Sequence, residues 1–97
     1  MSAYVIVEAQ VTDPTRYEAY RALSPAAVEA AGGRFVVRGG RCETLEGDWH
    51  PSRVVVLEFP TYAQARTFYD SPLYVEAREA RAGATRIFNM IVVEGVQ

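Results

Sequence analysis

The sequence predicts an α+β fold of the ferredoxin-like type, a four-stranded antiparallel sheet with its helices on one face. Strand-like and helix-like segments follow one another in the order β-α-β-β-α-β, which is the split βαβ arrangement. The chain has 97 residues, which suits one domain rather than two. About half of them are apolar (49%) and 23% are charged, as in ordinary globular proteins. We therefore expect a single domain over residues 1–97.

The first half of the chain predicts a strand, a helix and a second strand. Residues 3–11 are rich in Val and Ile, which favour strands. Asp13-Pro14 is a helix-start signal, because Asp accepts from free amides and Pro fits the first turn. Pro25 has no amide donor, so we expect Ser24-Pro25 to interrupt and restart this helix. Gly32-Gly33 then ends it, and residues 34–38 form the second strand.

The middle of the chain predicts a hairpin with an irregular connection. Gly39-Gly40 is typical of a bulge or bend, after which we expect residues 41–45 to stay extended. Residues 53–59 contain a run of Val and Leu and predict the third strand, which Pro60 closes.

The last third predicts a broken helix and a closing strand. Thr61-x-x-Gln64 resembles a capping box at a helix start. Ser71-Pro72 restarts the helix, as Ser24-Pro25 is expected to do, and Gly83 ends it. Residues 85–94 form the fourth strand.

The predicted sheet has two apolar faces but only one layer of helices. One face carries residues such as Val5, Val7 and Leu57, which we assign to the helix side. The other face is also apolar, and its main members are Tyr4, Ile6, Val54, Val56, Ile87 and Ile91. Exposing them would exceed the apolar patch of about 300–600 Å² that monomers tolerate. We therefore predict a homodimer in which a second copy covers this face by twofold symmetry.

The same face carries a sparse set of polar residues, and two interpretations of it stay open. Few polar groups in an apolar concavity are typical of a small-molecule pocket. Alternatively, Arg38 and Glu58, on neighbouring strands, form a structural ion pair at the dimer seam. The polar set is Glu8, Gln10, Arg38, Glu58 and Asn89.

Several short motifs spread along nearly the whole chain carry a family resemblance. They are Gly32-Gly33-Arg34-Phe35, Arg38-Gly39-Gly40, Leu45-Glu46-Gly47-Asp48-Trp49, Pro51-x-Arg53, Glu58-Phe59-Pro60, Tyr69-Asp70-Ser71-Pro72-x-Tyr74 and Arg81. With them the chain resembles the family named "domain of unknown function 1330", within the dimeric α+β barrel superfamily. That resemblance implies ferredoxin-like subunits that pair through their sheets. Leu73 is a departure, because the family usually has a polar or acidic residue there, so an acid has no role at this position.

The resemblance brings no established reaction with it. Superfamily relatives include cofactor-free monooxygenases, haem-degrading enzymes and lactone isomerases, which is an analogy of fold. Tyr74, Arg78 and Arg81 share one helical stripe, on which a tyrosine and two arginines hold a carboxylate or enolate if the stripe meets a cavity. Otherwise the stripe is a solvated face that pairs with nearby acids.

Charge and composition exclude several function classes. The ten basic residues are all arginines, scattered among twelve acids, and the net charge is −2. This argues against nucleic acid and against anionic membrane surfaces as partners. No signal peptide or membrane span is expected, so the expected location is the cytoplasm. His50 is interpreted as an exposed turn residue and Cys42 as an inert thiol, and neither metal nor organic cofactor is implied.

The leading functional hypothesis is a homodimer with a pocket on the open sheet face for a small anionic or phenolic molecule. If it is an enzyme, of the cofactor-free monooxygenase or isomerase type, Arg38 anchors the substrate and Glu58 moves a proton. Asn89 and Tyr4 orient the substrate, and Tyr74 and Arg81 complete the set. The alternative is a non-catalytic ligand-binding or structural dimer. A raised pKa at Glu58 favours the first and a lowered pKa favours the second.

Overall fold

Four strands form a single antiparallel sheet in the order β2-β3-β1-β4, which confirms the predicted α+β fold. The computed structural model describes residues 1–96. The elements are β1 (Ala3–Val11), α1 (Pro14–Ala30), β2 (Arg34–Arg38), β3 (Arg53–Phe59), α2 (Tyr62–Phe68), α3 (Pro72–Ala80) and β4 (Thr85–Glu94).

The helix ends lie where the local sequence signals predict them. The side chain of Asp13 accepts a hydrogen bond from the amide of Arg16 at 3.2 Å, and Thr61 accepts one from the amide of Gln64 at 3.1 Å. Gly32 follows α1 with a φ of +82°, a left-handed conformation that favours glycine. Pro72 begins α3, as the restart at Ser71-Pro72 predicted.

Pro25 does not break α1, so the predicted interruption at Ser24-Pro25 is wrong. The helix runs unbroken from Pro14 to Ala30 with Pro25 inside it. A proline leaves the carbonyl four residues earlier without its helical donor, and that carbonyl belongs to Arg21. Arg38 of β2 supplies the missing donor, because its Nη2 donates to the Arg21 carbonyl oxygen at 2.8 Å. A side chain from the sheet therefore replaces the lost helical hydrogen bond.

The β2–β3 hairpin departs from the prediction in two places. The bulge lies at Val36, where the register shifts between Phe35 and Val37, rather than at Gly39-Gly40. Residues 41–45, expected to stay extended, form no strand. The bulge matters for function because one extra residue moves every later side chain of the strand to the other face.

The core lies between the sheet and the three helices. The inward residues of the two central strands are buried, among them Val5, Leu57 and Phe59. They pack against the buried aromatic residues of the helices, including Tyr20, Phe68 and Tyr74.

The opposite face of the sheet has no covering element among residues 1–96. The register places Tyr4 beside Val93 and Ile6 between Val56 and Ile91 on this face. Ile91 is 56% exposed and Val93 is 41% exposed. We call this surface the open face.

The contact between Arg38 and the helix predicts an energetic coupling with Pro25. Replacing Arg38 with Met removes the side-chain donor to the Arg21 carbonyl and should cost about 0.5–1 kcal/mol of unfolding free energy, because this exposed hydrogen bond is exchanged for one to water. In a Pro25→Ala background the restored amide pairs with that carbonyl, so the same replacement should cost less than half as much. Urea unfolding of the two single variants and the double variant measures this coupling. An equal cost in both backgrounds would contradict this role of Arg38.

Candidate functional site

A cleft of about 570 Å³ runs along the edge strand β4, beneath α2. Its walls combine aromatic and aliphatic side chains with two arginines and one amide. The side chains that define it are Arg66, Phe68, Tyr69, Arg81, Phe88, Asn89, Met90, Ile91 and Val92. A volume of this size is within the range of small-molecule pockets.

Arg81 is a charged residue of this cleft that packs against two aromatic rings. It lies at the end of α3, and its guanidinium carbon is 3.6 Å from the centre of the Phe88 ring and 5.4 Å from that of Tyr20. Its Nε is buried and has no hydrogen-bond partner within residues 1–96. Cation–π contacts offset part of the cost of desolvating this charge, but they do not neutralise it.

The neighbouring arginines differ from Arg81 because each has a carboxylate partner. Asp70 lies 3.4 Å from Nη1 of Arg66 and 3.7 Å from Nη2 of Arg78. Arg78 also lies over the ring of Tyr69, at 4.0 Å from its centre. No ion pair joins Arg81 to an acid in the described part of the chain. Arg81 is therefore a cation in the cleft that lacks a carboxylate partner.

Two buried tyrosines lie directly behind the cleft. The hydroxyl groups of Tyr20 and Tyr74 are 2.7 Å apart, and the Tyr74 hydroxyl is 3.8 Å from the sulfur of Met90, a cleft residue. Burial is the main cause that raises the pKa of both phenols above the ordinary value. Both side chains are therefore neutral at physiological pH and provide no counter-ion for Arg81. Tyr74 is only 1% exposed, so it supports the cleft from behind.

The predicted polar residues of the open face form two separate pairs, of which only Asn89 lines the cleft. The Tyr4 hydroxyl donates to Oε2 of Glu58 at 3.2 Å, and Asn89 Nδ2 donates to Oε1 of Glu8 at 3.1 Å. Each pair faces across adjacent strands in the register of the sheet. Asn89 also reaches the rim of the cleft, whereas Tyr4 and Glu58 do not line it.

Glu58 is paired with Arg34 rather than with Arg38. Arg34 Nε donates to Oε1 of Glu58 at 2.8 Å, and Nη2 lies 2.7 Å from the same oxygen. This hydrogen bond is the main cause that holds the pKa of Glu58 below its ordinary value of 4.5. Glu58 therefore stays ionised at neutral pH.

The expectation that Arg38 shares the open face with Glu58 is wrong. Arg38 faces Val55 in the register and lies on the helix side, with its guanidinium 4.4 Å from the centre of the Phe35 ring. The bulge at Val36 is the physical reason, because it turns Arg38 away from the face that Arg34 occupies.

The remaining candidates lie on the surface of the long β2–β3 connection. His50 and Cys42 are exposed, and Nδ1 of His50 is 3.0 Å from the hydroxyl of Thr44. Within residues 1–96, no group of three or more His, Cys, Asp or Glu side chains is arranged to hold a metal ion. None of the helices there has the length and apolarity needed to cross a membrane.

Residues 2–96 match the family model "Domain of unknown function (DUF1330)", and the chain belongs to this family. This confirms the resemblance drawn from the short motifs. No curated protein matches the sequence significantly.

Solved structures agree on the fold. A protein of unknown function from Rhodopseudomonas palustris superposes with a TM-score of 0.75 and 23% identity, over 99% of this chain and 83% of that one. A dimeric ferredoxin-like protein of unknown function from Thermobifida fusca gives 0.63 and 15%, over 98% and 92%. A Nitrosomonas europaea protein, provisionally assigned as an antibiotic biosynthesis monooxygenase, gives 0.60 and 18%, over 98% and 90%. At these identities the likeness establishes the fold alone.

The sequence alone does not reveal Arg34, Tyr20 or the aromatic walls of the cleft as functional. A correct position for the bulge would have placed Arg34 beside Glu58, since the alternation of the strand then follows directly. No local signal indicates that Tyr20 meets Tyr74, because that contact depends on how α1 and α3 pack together.

The pairing of Glu58 with Arg34 predicts a specific titration behaviour. The lowered pKa means that the pair stabilises the fold above about pH 4.5 and that this contribution disappears as pH falls through the lowered value. Arg34→Gln should therefore raise the pKa of Glu58 toward 4.5. NMR titration of the Glu58 side-chain carboxyl measures this shift. Arg86→Gln is the matched control and should leave it unchanged, whereas an unshifted pKa in Arg34→Gln would refute the assignment.

Proposed function

We propose that this protein is a homodimer, paired through the open face, in which each subunit binds a small planar organic anion in the cleft at Arg81. The observation that carries the proposal is that Arg81 has no carboxylate partner within residues 1–96, in a cleft whose other lining residues are mostly apolar. A carboxylate or phenolate supplies the counter-ion that residues 1–96 do not. The expected chemical class is therefore an aromatic or conjugated carboxylate or phenolate.

The walls of the cleft support a flat ligand rather than a compact one. Tyr69 and Phe88 line the cleft with partly exposed rings, which favour stacking or edge contacts with another ring, whereas Phe68 is 1% exposed and supports them from behind. Guanidinium groups bind carboxylates through two parallel hydrogen bonds, which fixes the plane of the ligand. Asn89 on the rim adds a donor and an acceptor for a second polar group of the ligand.

The dimer is supported by the apolar character of the open face and by relatives of the same fold. Ile91, Val93 and Val37 are each at least 40% exposed there. Proteins from Thermobifida fusca and Bacteroides fragilis that share this fold are described as dimeric. Pairing two open faces by twofold symmetry buries these side chains without any additional element.

In the dimer, Glu58 acts at the seam and does not transfer protons. Its pKa is lowered by Arg34, whereas a general base working near neutral pH needs a raised one. Tyr4 holds the second carboxylate oxygen, so both oxygens of Glu58 are engaged. In the proposed dimer, the cluster of Arg34, Glu58 and Tyr4 lies at the interface and orients the two open faces relative to each other.

A cofactor-free reaction in the same cleft is the second candidate. The observation favouring it is again Arg81, because a cation in apolar surroundings stabilises the anion that forms when a bound phenol or enol loses its proton. The structural likeness to the Nitrosomonas europaea protein suggests a monooxygenase as the type of enzyme. In such an enzyme, Arg81 and the cleft bind the substrate and stabilise its anion.

The role of Arg81 predicts a shift in the ionisation of a bound phenol. We expect 4-nitrophenol to bind in the cleft and its apparent pKa to fall by about one unit, because the charge of Arg81 favours the phenolate. Titration of its visible absorbance with and without excess protein measures this shift. Arg81→Met should abolish the shift, whereas Arg81→Lys should retain part of it.

Two controls make this experiment decisive. Arg41→Met removes an exposed arginine outside the cleft and should behave as wild type. Circular dichroism establishes that Arg81→Met is folded at the temperature of the titration. Equal shifts in wild type and in folded Arg81→Met would reject the assignment of the cleft.

The proposed dimer predicts that a charge on the open face dissociates it. Val93→Glu places a carboxylate in the apolar seam, where it has to be desolvated without a partner. Wild type should sediment as a dimer at micromolar concentration, and the variant should shift toward monomer. Leu73→Glu is the matched control, because Leu73 is 45% exposed on the helical layer, close to the 41% of Val93. A monomeric wild type, or a dimeric Val93→Glu, would contradict the proposed interface.

A further inference from the structure

A second cleft, much smaller than the first, lies on the other flank of the helical layer, between α1 and the β2–β3 hairpin. Three arginines from three different elements line it: Arg21 of α1, Arg38 of β2 and Arg53 of β3. Its enclosed part, of about 20 Å³, accommodates one water-sized group. None of the residues that line it also lines the cleft at Arg81.

The positive charge of this cluster is only partly compensated. Glu18 lies 3.0 Å from Nη1 of Arg21, and no ion pair within residues 1–96 joins Arg38 or Arg53 to a carboxylate. The pKa of Arg38 is lowered from its ordinary value, first by burial and then by the charges of Arg21 and Arg53. Three guanidinium groups and one carboxylate leave two positive charges at the cluster.

The geometry also leaves donors of the cluster unused. The Nε atoms of Arg21 and Arg53 are buried and have no hydrogen-bond partner within residues 1–96. Arg38 uses one Nη2 donor on the Arg21 carbonyl. A guanidinium carries five N–H donors, so the cluster has further donors to offer. Three like charges that converge with only one counter-ion cost free energy, which a bound anion would recover.

The absence of a side chain at Gly39 leaves room for the guanidinium of Arg53 in this cluster. A Cβ built on Gly39 would overlap Nη1 of Arg53, so the glycine creates the space that the guanidinium fills. Its φ of +71° is a conformation that other residues rarely adopt. Arg53 also lies 5.6 Å from the centre of the Tyr17 ring, which supports its position from the helix side.

We propose that Arg21, Arg38 and Arg53 form a phosphate-binding site, distinct from the cleft at Arg81. A phosphate dianion matches the two uncompensated charges. Its tetrahedral oxygens suit donors that converge from three elements better than a flat monocarboxylate does. One oxygen enters the enclosed space and the others face the exposed rim. The ligand is free phosphate or the terminal group of a small phosphate ester.

The site predicts saturable phosphate binding that depends on Arg53. Isothermal titration with inorganic phosphate, at an ionic strength matched with sodium chloride, should show saturation for wild type. Arg53→Gln should weaken binding at least about tenfold, because it removes a charged donor from the cluster. Arg86→Gln, which removes an exposed arginine on β4, should bind as wild type does. Phenyl phosphate in a parallel titration separates the two sources of the group, since tighter binding of the ester indicates a phosphorylated metabolite.

The outcomes that would overturn the proposal are equally definite. No saturation in wild type, or equal affinity in Arg53→Gln, rules out the site. Binding of acetate as strongly as phosphate would contradict the preference for a dianion. Arg21→Gln serves as the second variant if circular dichroism shows that Arg53→Gln is unfolded. The 4-nitrophenol titration of Arg53→Gln should remain as in wild type, which keeps this site separate from the cleft at Arg81.

Discussion

The structure depends on a mismatch between a sheet with two apolar faces and a single layer of helices. The helices bury Val5, Leu57 and Phe59 on one side and form the core there. On the other side, Ile91 and Val93 remain exposed, since no further segment of residues 1–96 reaches them. The proposed dimer follows from this constraint. The cleft along β4 has a separate origin, because β4 is an edge strand that α2 covers only in part.

The chain contains ten arginines and no lysine. Some of these arginines have a carboxylate partner and others do not. Arg34 and Arg66 each form an ion pair with a carboxylate on the protein surface. Arg81 and Arg53 are turned toward aromatic rings and have no acid within ion-pair distance among residues 1–96. Partly buried cations that have no carboxylate partner are suited to binding anions, and both ligand proposals rest on this contrast.

The four strands could be predicted from the sequence, because β propensity is a local signal, although the extended segment expected over residues 41–45 is absent. Asp13, Thr61 and Pro72 mark helix starts through contacts within one turn, and the structure retains all three. The errors arose where a distant residue decided the outcome. Pro25 is accommodated inside α1 because Arg38 replaces its missing hydrogen bond, and Arg38 is available there because a bulge at Val36 turns it toward the helices. The predicted polar set of the open face was partly wrong for the same reason. The register after the bulge decides that Arg34, and not Arg38, lies opposite Glu58.

Whether a second copy covers the open face can be measured by the dependence of unfolding on protein concentration. Urea unfolding followed by circular dichroism at about 1 and about 100 μM protein compares the two midpoints. Folding linked to dimerisation predicts a higher midpoint at the higher concentration, by mass action. An identical midpoint at both concentrations, with a folded monomer at the lower one, would show that the subunit folds with its open face exposed to water. That result would contradict the proposed dimer.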